Sequence, residues 1–549
     1  MMAKTGILSL KVSFPTPHPN PPPQGGRESG DGLRLRYTLL AGLLSALLTL
    51  PALATTLGLV VGIDQYRYKP ALKGAVNDAR AIQAALEAAG VQDIVLLLNE
   101  QVTREAVRNA WNQQVAKARP GDTLIFTYAG HGGQEPERVR GNEADGKDEA
   151  RLLAGFQEIR PGNGQRIVDD ELDQWFRAAS QINIIFAADA CYSGTLTRSI
   201  DPRAAFLGSR AIGNYGPIKD DELPPPVAPA RLEQQQPLPH VTFLAASREN
   251  ETTPEVVIAG QPHGALSWAF AQALRGAADA NRDRTLTRQE LQGYVEETVR
   301  MYAEARQHPT LQPLADSHRA ILPAAERPAE RVPAPPTLRL RVLGLGDADS
   351  RALLGQVPGV ELALDGQTPD LVWDAGQRQA LSGQGDVVAY QVADAAALRQ
   401  VVAKWRLLAT VKALSAPHSL RLRLEPGDGL HREGAVISIT LDGHRHGYLT
   451  LFNLAADGTV QFLYPKPGDA KTVPTDPTFK LADSTKIIPP FGADHLVAVV
   501  TPTEAIQLQT QLRGLDGRPE ADALDRVLRE TDWGSYQMGV LGLYTAPGK

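Results

Sequence analysis

From Leu57 onward, short apolar runs alternate with amphipathic segments, and that alternation restricts the fold more than any other feature of the chain. Leu57 to Ile63 is a continuous apolar run, as a strand buried on both faces requires. Val76, Ala79, Ile82, Leu86 and Ala89 then recur at three-to-four spacing and stop at Gly90, which predicts an amphipathic helix. Asp93 to Leu98 reads as a second buried strand, and Thr103 to Arg119 as a helix closed by Pro120-Gly121. Thr123 to Tyr128, Ile182 to Ala187 and Val241 to Ala246 read as further strands. Strands alternating with helices need crossover connections. The expected class is therefore α/β, with a mostly parallel sheet and helices on both faces.

Punctuation divides the rest. Pro15 to Gly26 is low-complexity with nothing to bury, so residues 1–32 are read as a mis-called start. Arg34 and Arg36 precede an apolar run from Thr38 to Leu50 and the small-residue site Ala52-Leu53-Ala54. Residues 33–54 thus read as a secretory signal cleaved after Ala54, with no stable membrane span left afterwards and an exported product, periplasmic or extracellular. The main α/β domain is expected over 55–325, with an exposed loop over 197–239 that carries Pro224-Pro225-Pro226 and Gln234-Gln235-Gln236. A Pro-rich linker over 326–337 leads to a small α/β region over 338–415 and a β-rich accessory domain over 416–549. In the last of these, Val436 to Leu441 and Tyr448 to Phe452, broken by Asp442-Gly443 and Asp457-Gly458, read as antiparallel hairpins.

One cysteine occurs in 549 residues, which excludes an intramolecular disulfide and a Cys-rich zinc cluster. That cysteine, Cys191, follows a predicted strand in Asp189-Ala190-Cys191-Tyr192-Ser193-Gly194, and a second strand runs into Tyr128-Ala129-Gly130-His131-Gly132. Open parallel sheets bind ligands at the carboxyl ends of their strands. A thiol there needs an imidazole to accept its proton, and a glycine amide such as that of Gly132 can donate to an oxyanion.

These motifs resemble the caspase-like cysteine peptidases, most closely the metacaspase-like bacterial branch. Leu72-Lys73-Gly74-Ala75-Val76-Asn77-Asp78-Ala79, Asp145-Gly146-Lys147-Asp148-Glu149 and Leu244-Ala245-Ala246-Ser247 support the resemblance, in the right order over about Leu57 to Leu322. It implies a three-layer caspase-like sandwich over 55–325 and a cysteine endopeptidase with His131 as acid/base and Cys191 as nucleophile. Asp78 and Asp189 would line a pocket for the residue before the scissile bond; ordinary capping, above all for Asp78 at a helix start, is the other reading. Two carboxylates there favour Arg or Lys and reject Asp. The substrate would be a protein or peptide with a basic residue at that position. Asp189 stands where true caspases carry Gln, and Ala75 and Ala129 depart from the Cys and Ser common in the family. The loop over 197–239 would carry candidate self-processing sites, Arg198, Arg203, Arg210, Lys219 and Arg231; an uncleaved surface loop is the other reading.

Calcium is a second expectation, as a regulator and not as a requirement of the chemistry. Asp279, Asn281, Asp283, Thr285, Thr287 and Glu290 have the spacing of an EF-hand loop, although Arg284 stands where the sharp turn wants glycine. A calcium-free turn and helix cap is the other reading of that segment. Asp145, Asp148, Asp169 and Asp170 resemble the acidic loops through which some metacaspases bind calcium; a solvated acidic surface is the alternative.

Other classes fall away. With 56 Lys and Arg against 62 Asp and Glu the formal net charge is −6, and basic residues are scattered, so no nucleic-acid footprint is expected. Ser193 is outside any G-x-S-x-G elbow, and His431, His444 and His446 read as surface residues without metal-ligand context. The competing function is a non-proteolytic interaction protein of the cell envelope, whose accessory domain binds an envelope partner.

Overall fold

A computed structural model of the chain describes residues 54–548, apart from 140–144, 192–209, 226–237, 249–252, 280, 304–306, 314, 326–333, 365–366, 428, 471, 476–477 and 482–484. The low-complexity start, the export signal up to residue 53 and much of the expected loop and linker lie outside the described residues.

Six strands form the central sheet: β1 (Thr56–Gly62), β2 (Asp93–Leu98), β3 (Thr123–Ala129), β4 (Asn183–Asp189), β5 (Val241–Ala245) and β6 (Thr310–Gln312). Their order is β6-β5-β4-β3-β1-β2. All pairings are parallel except β6 with β5. The chain moves from β1 to one edge through β2 and returns to β1's other side as β3. The order therefore reverses between β1 and β3, where an open sheet leaves a crevice.

Alternate residues of each strand serve opposite faces. Val60, Ile125 and Ile185 pack under helices α1 (Ala75–Ala88), α4 (Ala265–Leu274) and α5 (Arg288–Tyr302). Leu59, Phe126 and Phe186 pack on the other side under α2 (Arg104–Lys117) and α3 (Asp169–Ala178). The second face is aromatic: the Phe126 and Phe186 rings lie 4.9 Å apart, and Trp111 sits 6.0 Å from Phe126. Large aromatics buried in this way cost about 3–5 kcal/mol to truncate, which holds the strand ends firmly. The result is the expected three-layer α/β sandwich around a mostly parallel sheet.

Beyond it, a mixed five-stranded sheet spans Leu338–Leu343 to Val387–Ala389. The helix Ala395–Ser415 follows. Its Leu398, Val401 and Val402 pack on that sheet, while Leu407, Leu408 and Val411 pack on Phe452, Val497 and Val499 of the β-rich region. The expected boundary after residue 415 is thus not a break in packing, because one helix serves both cores.

Of the two turns expected to close hairpins, only Asp457-Gly458 does so, between Tyr448–Leu454 and Val460–Tyr464. Asp442-Gly443 instead carries the chain from a sheet built on Arg421–Glu425 and Val436–Asp442 to a different five-stranded sheet. Both strands alternate, and Ile437, Ile439 and Leu441 face Leu449 and Leu451 across a shared core. Stacking two sheets consumes the same pattern as a hairpin would. His431 and His444 are buried, contrary to the surface reading, with Nε2 of His431 2.9 Å from the Gly427 carbonyl.

Candidate active site

Ala129 ends β3 and Asp189 ends β4, and the two are direct partners in the parallel ladder. His131 and Cys191 each lie two residues past that pair, so the register delivers both to the carboxyl edge of the sheet. Both are buried. The His131 backbone is pinned by two tyrosines. Its amide donates to the Tyr66 hydroxyl at 2.7 Å, and the Tyr128 hydroxyl lies 2.7 Å from its carbonyl. Gly130 is needed here, because a Cβ would come within 2.5 Å of the Tyr66 hydroxyl oxygen.

The imidazole is oriented by Nε2, which lies 2.8 Å from the Pro70 carbonyl. A carbonyl can only accept, so Nε2 carries the proton and Nδ1 presents a lone pair. Nδ1 is buried and has no hydrogen-bond partner among the described residues. Burial pushes the imidazole below its ordinary pKa, opposed by the Pro70 and Arg210 carbonyls. His131 therefore stays neutral at neutral pH, the state a general base needs.

Asp78 and Asp189, from α1 and the end of β4, converge on one cation. The Arg210 guanidinium reaches Asp78 at 2.6 Å and Asp189 at 3.1 Å, and all three side chains are buried. A third carboxylate, Glu255, lies 3.3 Å from the same guanidinium. Glu255 is held by the amides of Lys73 and Gly74 at 3.0 and 2.8 Å, which gives the Leu72-to-Ala79 motif a physical role. Asp78 also receives the Gly264 amide and faces Nδ1 of His263 at 2.8 Å, while Asp189 receives the Ser267 amide at 2.8 Å. Burial pushes the Asp78 carboxyl up, against the pull of Arg210 and His263. The three carboxylates hold Arg210 firmly protonated in spite of its burial. Gly264 is the wall of this pocket: a Cβ there would lie 2.1 Å from the Asp189 carboxylate and 2.4 Å from the guanidinium.

Sequence reasoning missed Glu255, His263, Gly264, Ser267 and Tyr66. Only Gly264, just before an apolar helix, carried any signal. Arg210 was expected in an exposed loop and is instead fully buried, because three carboxylates draw it in. Among the other expected self-processing sites, Lys219 is exposed, and Arg198, Arg203 and Arg231 lie outside the described residues.

Among the described residues no three His, Cys, Asp or Glu side chains gather closely enough to hold a metal ion. Asp148 accepts the Arg138 amide at 3.0 Å, and exposed Asp145 accepts the Lys147 amide at 3.1 Å. Burial, with Asp170 and Glu135 nearby, pushes the Asp148 carboxyl up to about 7. Burial likewise holds Asp169 well above the usual carboxylate range. In the EF-hand-like segment, Asp279 accepts the amides of Arg282 and Arg284, Asn281 that of Asp283, and Asp283 that of Thr285. Glu290 closes a capping box with Thr287 at the start of α5. Arg284 adopts φ +65°, so it supplies the left-handed turn expected of glycine. The loop's oxygens serve its own backbone.

A His and a Cys at paired strand ends of a three-layer α/β sandwich, beside an acidic pocket, define the frame of a caspase-like peptidase domain. Residues 57–199 match the family described as metacaspase, peptidase C14 domain. Metacaspase-1A of Aspergillus clavatus is 29% identical over 306 residues, covering 48% of this chain and 66% of its own. Metacaspase-1 of Pyricularia oryzae is 28% identical over 313 residues, covering 49% of this chain and 74% of its own. The chain spans about two thirds of the length of the first curated relatives it matches. Among solved structures, the Drosophila initiator caspase Dronc aligns with TM-score 0.29 and 12% identity, over 48% of this chain and 80% of its own. These similarities support a caspase-like cysteine peptidase domain in this chain.

Proposed function

We propose that this protein is a cysteine endopeptidase that cleaves after arginine or lysine, with Cys191 as nucleophile and His131 as its base. The observation that carries the reading is the pocket of buried Asp78 and Asp189 with partly exposed Glu255, which already holds an arginine side chain. Buried carboxylates reject an acidic side chain and reward a guanidinium that satisfies them in pairs. The free Nδ1 of His131 supports its role: it can take the thiol proton and later protonate the departing amine. The Gly132 amide would polarise the substrate carbonyl. Calcium as an activator and export through residues 33–54 complete the proposal, on the acidic spacing and on the arginine-flanked apolar run respectively.

Hydrolysis of matched Arg, Lys and Asp peptides by purified full-length protein, with and without calcium, tests it. Arg and Lys peptides should be cut and Asp peptides left intact, and Cys191→Ala should abolish turnover. Preferential cleavage after Asp, or activity that survives Cys191→Ala, overturns it. Amino-terminal sequencing of the secreted protein tests the export step, with Thr55 expected as the first residue.

A further inference from the structure

Three parts of the acidic pocket come from one ribbon. Glu255 supplies the third carboxylate, His263 faces Asp78 and Gly264 forms the wall, all within the antiparallel pair Glu255–Ile258 and Gln261–Gly264. Among the described residues this ribbon joins no larger sheet, and a lone two-stranded hairpin is marginally stable at best in water. Its place is therefore set by what packs against it. Val256 and Ile258 bury one face in the core with α4 and α5. The tip is the two-residue turn Ala259-Gly260, with φ +50° and +77°. That tip is held from outside the peptidase domain. Arg339, on the strand Leu338–Leu343 of the small α/β region, donates from its guanidinium to the Gly260 carbonyl. Arg339 is itself fixed, for its amide donates to the Asp370 carboxylate at 2.6 Å and its Nε lies 3.7 Å from the same group. Two further contacts from that region reach the pocket end of the ribbon. Nε2 of Gln384 lies 3.5 Å from the Glu255 carbonyl. Lys73, whose amide holds the Glu255 carboxylate, donates from Nζ to the Thr368 hydroxyl at 3.3 Å. The ribbon then runs directly into α4, which packs on α5. From α5, Met301 enters the core of Leu407 and Phe452, and Arg300 donates to the Leu422 carbonyl at 2.7 Å.

We propose that Arg339 is a positioning residue for arginine recognition: it holds the 255–264 ribbon where Glu255 meets the substrate guanidinium. The region 338–389 is then a working part of the specificity pocket and not a detached appendage. This role rests on the peptidase reading above. Arg339 steadies the tip, Gln384 and Thr368 steady the end that carries Glu255, and α4 with α5 anchors the exit. With the tip released, the ribbon pivots on its packed face and Glu255 moves with it. His131 and Cys191 follow β3 and β4 instead, so the tie acts on substrate binding and leaves the thiol chemistry in place.

Steady-state kinetics of full-length variants on matched arginine and lysine peptides tests it. Arg339→Ala should raise KM for the arginine peptide about fivefold, with kcat held within about twofold. The lysine peptide should suffer less, because it lacks the fork that Glu255 completes. Arg339→Lys keeps a donor and should recover most of the loss. In a Glu255→Gln background Arg339→Ala should add less than about twofold, since its effect passes through Glu255. Thr368→Val leaves the Arg339–Asp370 pair intact and serves if Arg339→Ala unfolds the small sheet. It should lower the arginine-to-lysine ratio about twofold. A fall in kcat at constant KM overturns the proposal, as do losses that multiply fully in the double variant. So does an unchanged arginine-to-lysine ratio in folded Arg339→Ala and Thr368→Val. Wild type that turns over neither peptide removes the peptidase reading, and this role with it.

Discussion

Two acidic clusters in one domain meet the same electrostatic problem and solve it differently. Asp78, Asp189 and Glu255 come from three separate elements and share one guanidinium, buried with the two aspartates. The second group, Asp148 with Asp169 and Asp170, lies near the start of α3 beside Arg138 and Arg151, yet burial still drives Asp148 and Asp169 toward protonation. The EF-hand-like segment gives a third answer, in which backbone amides take the charge. In the proposed function only the first arrangement would select a guest side chain, because there the neutralising group is itself a guanidinium. Like charge in a sequence therefore says little until the structure shows what neutralises it.

The contrast breaks most sharply at Asp189. Asp189→Ala should lower kcat/KM for arginine peptides by about 10²–10³-fold, since truncating one partner of a buried, hydrogen-bonded charge pair costs about 2–5 kcal/mol. Steady-state kinetics on arginine and lysine peptides measures this, and a loss under fivefold would mean that the pocket is not where substrate binds. Glu255→Gln should act more gently, with about a tenfold loss on arginine peptides, because a charge-assisted hydrogen bond contributes about 1.5–3 kcal/mol. Its loss should fall more on arginine than on lysine, because the bidentate fork is what the third carboxylate completes.

The second cluster should respond to pH instead. The folded Asp148 carboxyl is raised from its ordinary 3.8 to about 7, so the folded state binds a proton more tightly than the unfolded chain does. Its contribution to stability is fully present below about pH 4 and is lost as pH rises through about 7. Thermal melts from pH 5 to 8 should show that loss, and Asp148→Asn should flatten it while the preference for arginine over lysine persists. A melt profile unchanged by Asp148→Asn would refute the assignment. The smallest effect is expected at Asp279. Asp279→Ala removes the acceptor for two amides and should cost about 1 kcal/mol in chemical denaturation, with no change in arginine-to-lysine ratio.

How far the site could be read from residues alone depends on the range of the interaction. His131 and Cys191 were legible because each closes a strand within its own short motif, and Asp78 and Asp189 through the resemblance those motifs carry. Glu255 and His263 were not, for they reach Asp78 and Arg210 from a distant antiparallel pair (Glu255–Ile258 with Gln261–Gly264). The same limit explains the fold. Apolar runs marked the central strands, while the path at Asp442-Gly443 and the double service of the helix Ala395–Ser415 depend on which sheets stack.

By itself, the sequence determined the layered α/β class, the parallel sheet and the two strand ends that carry Cys191 and His131. Periodicity and local motifs are sufficient for these, because burial of a strand or helix face is written in consecutive residues. Only the tertiary structure decided that Arg210, set in a proline-rich stretch that reads as surface loop, lies at the centre of the acidic pocket. The physical reason is that a buried carboxylate group must find a cation somewhere, and spacing along the chain does not say which one folding will bring to it.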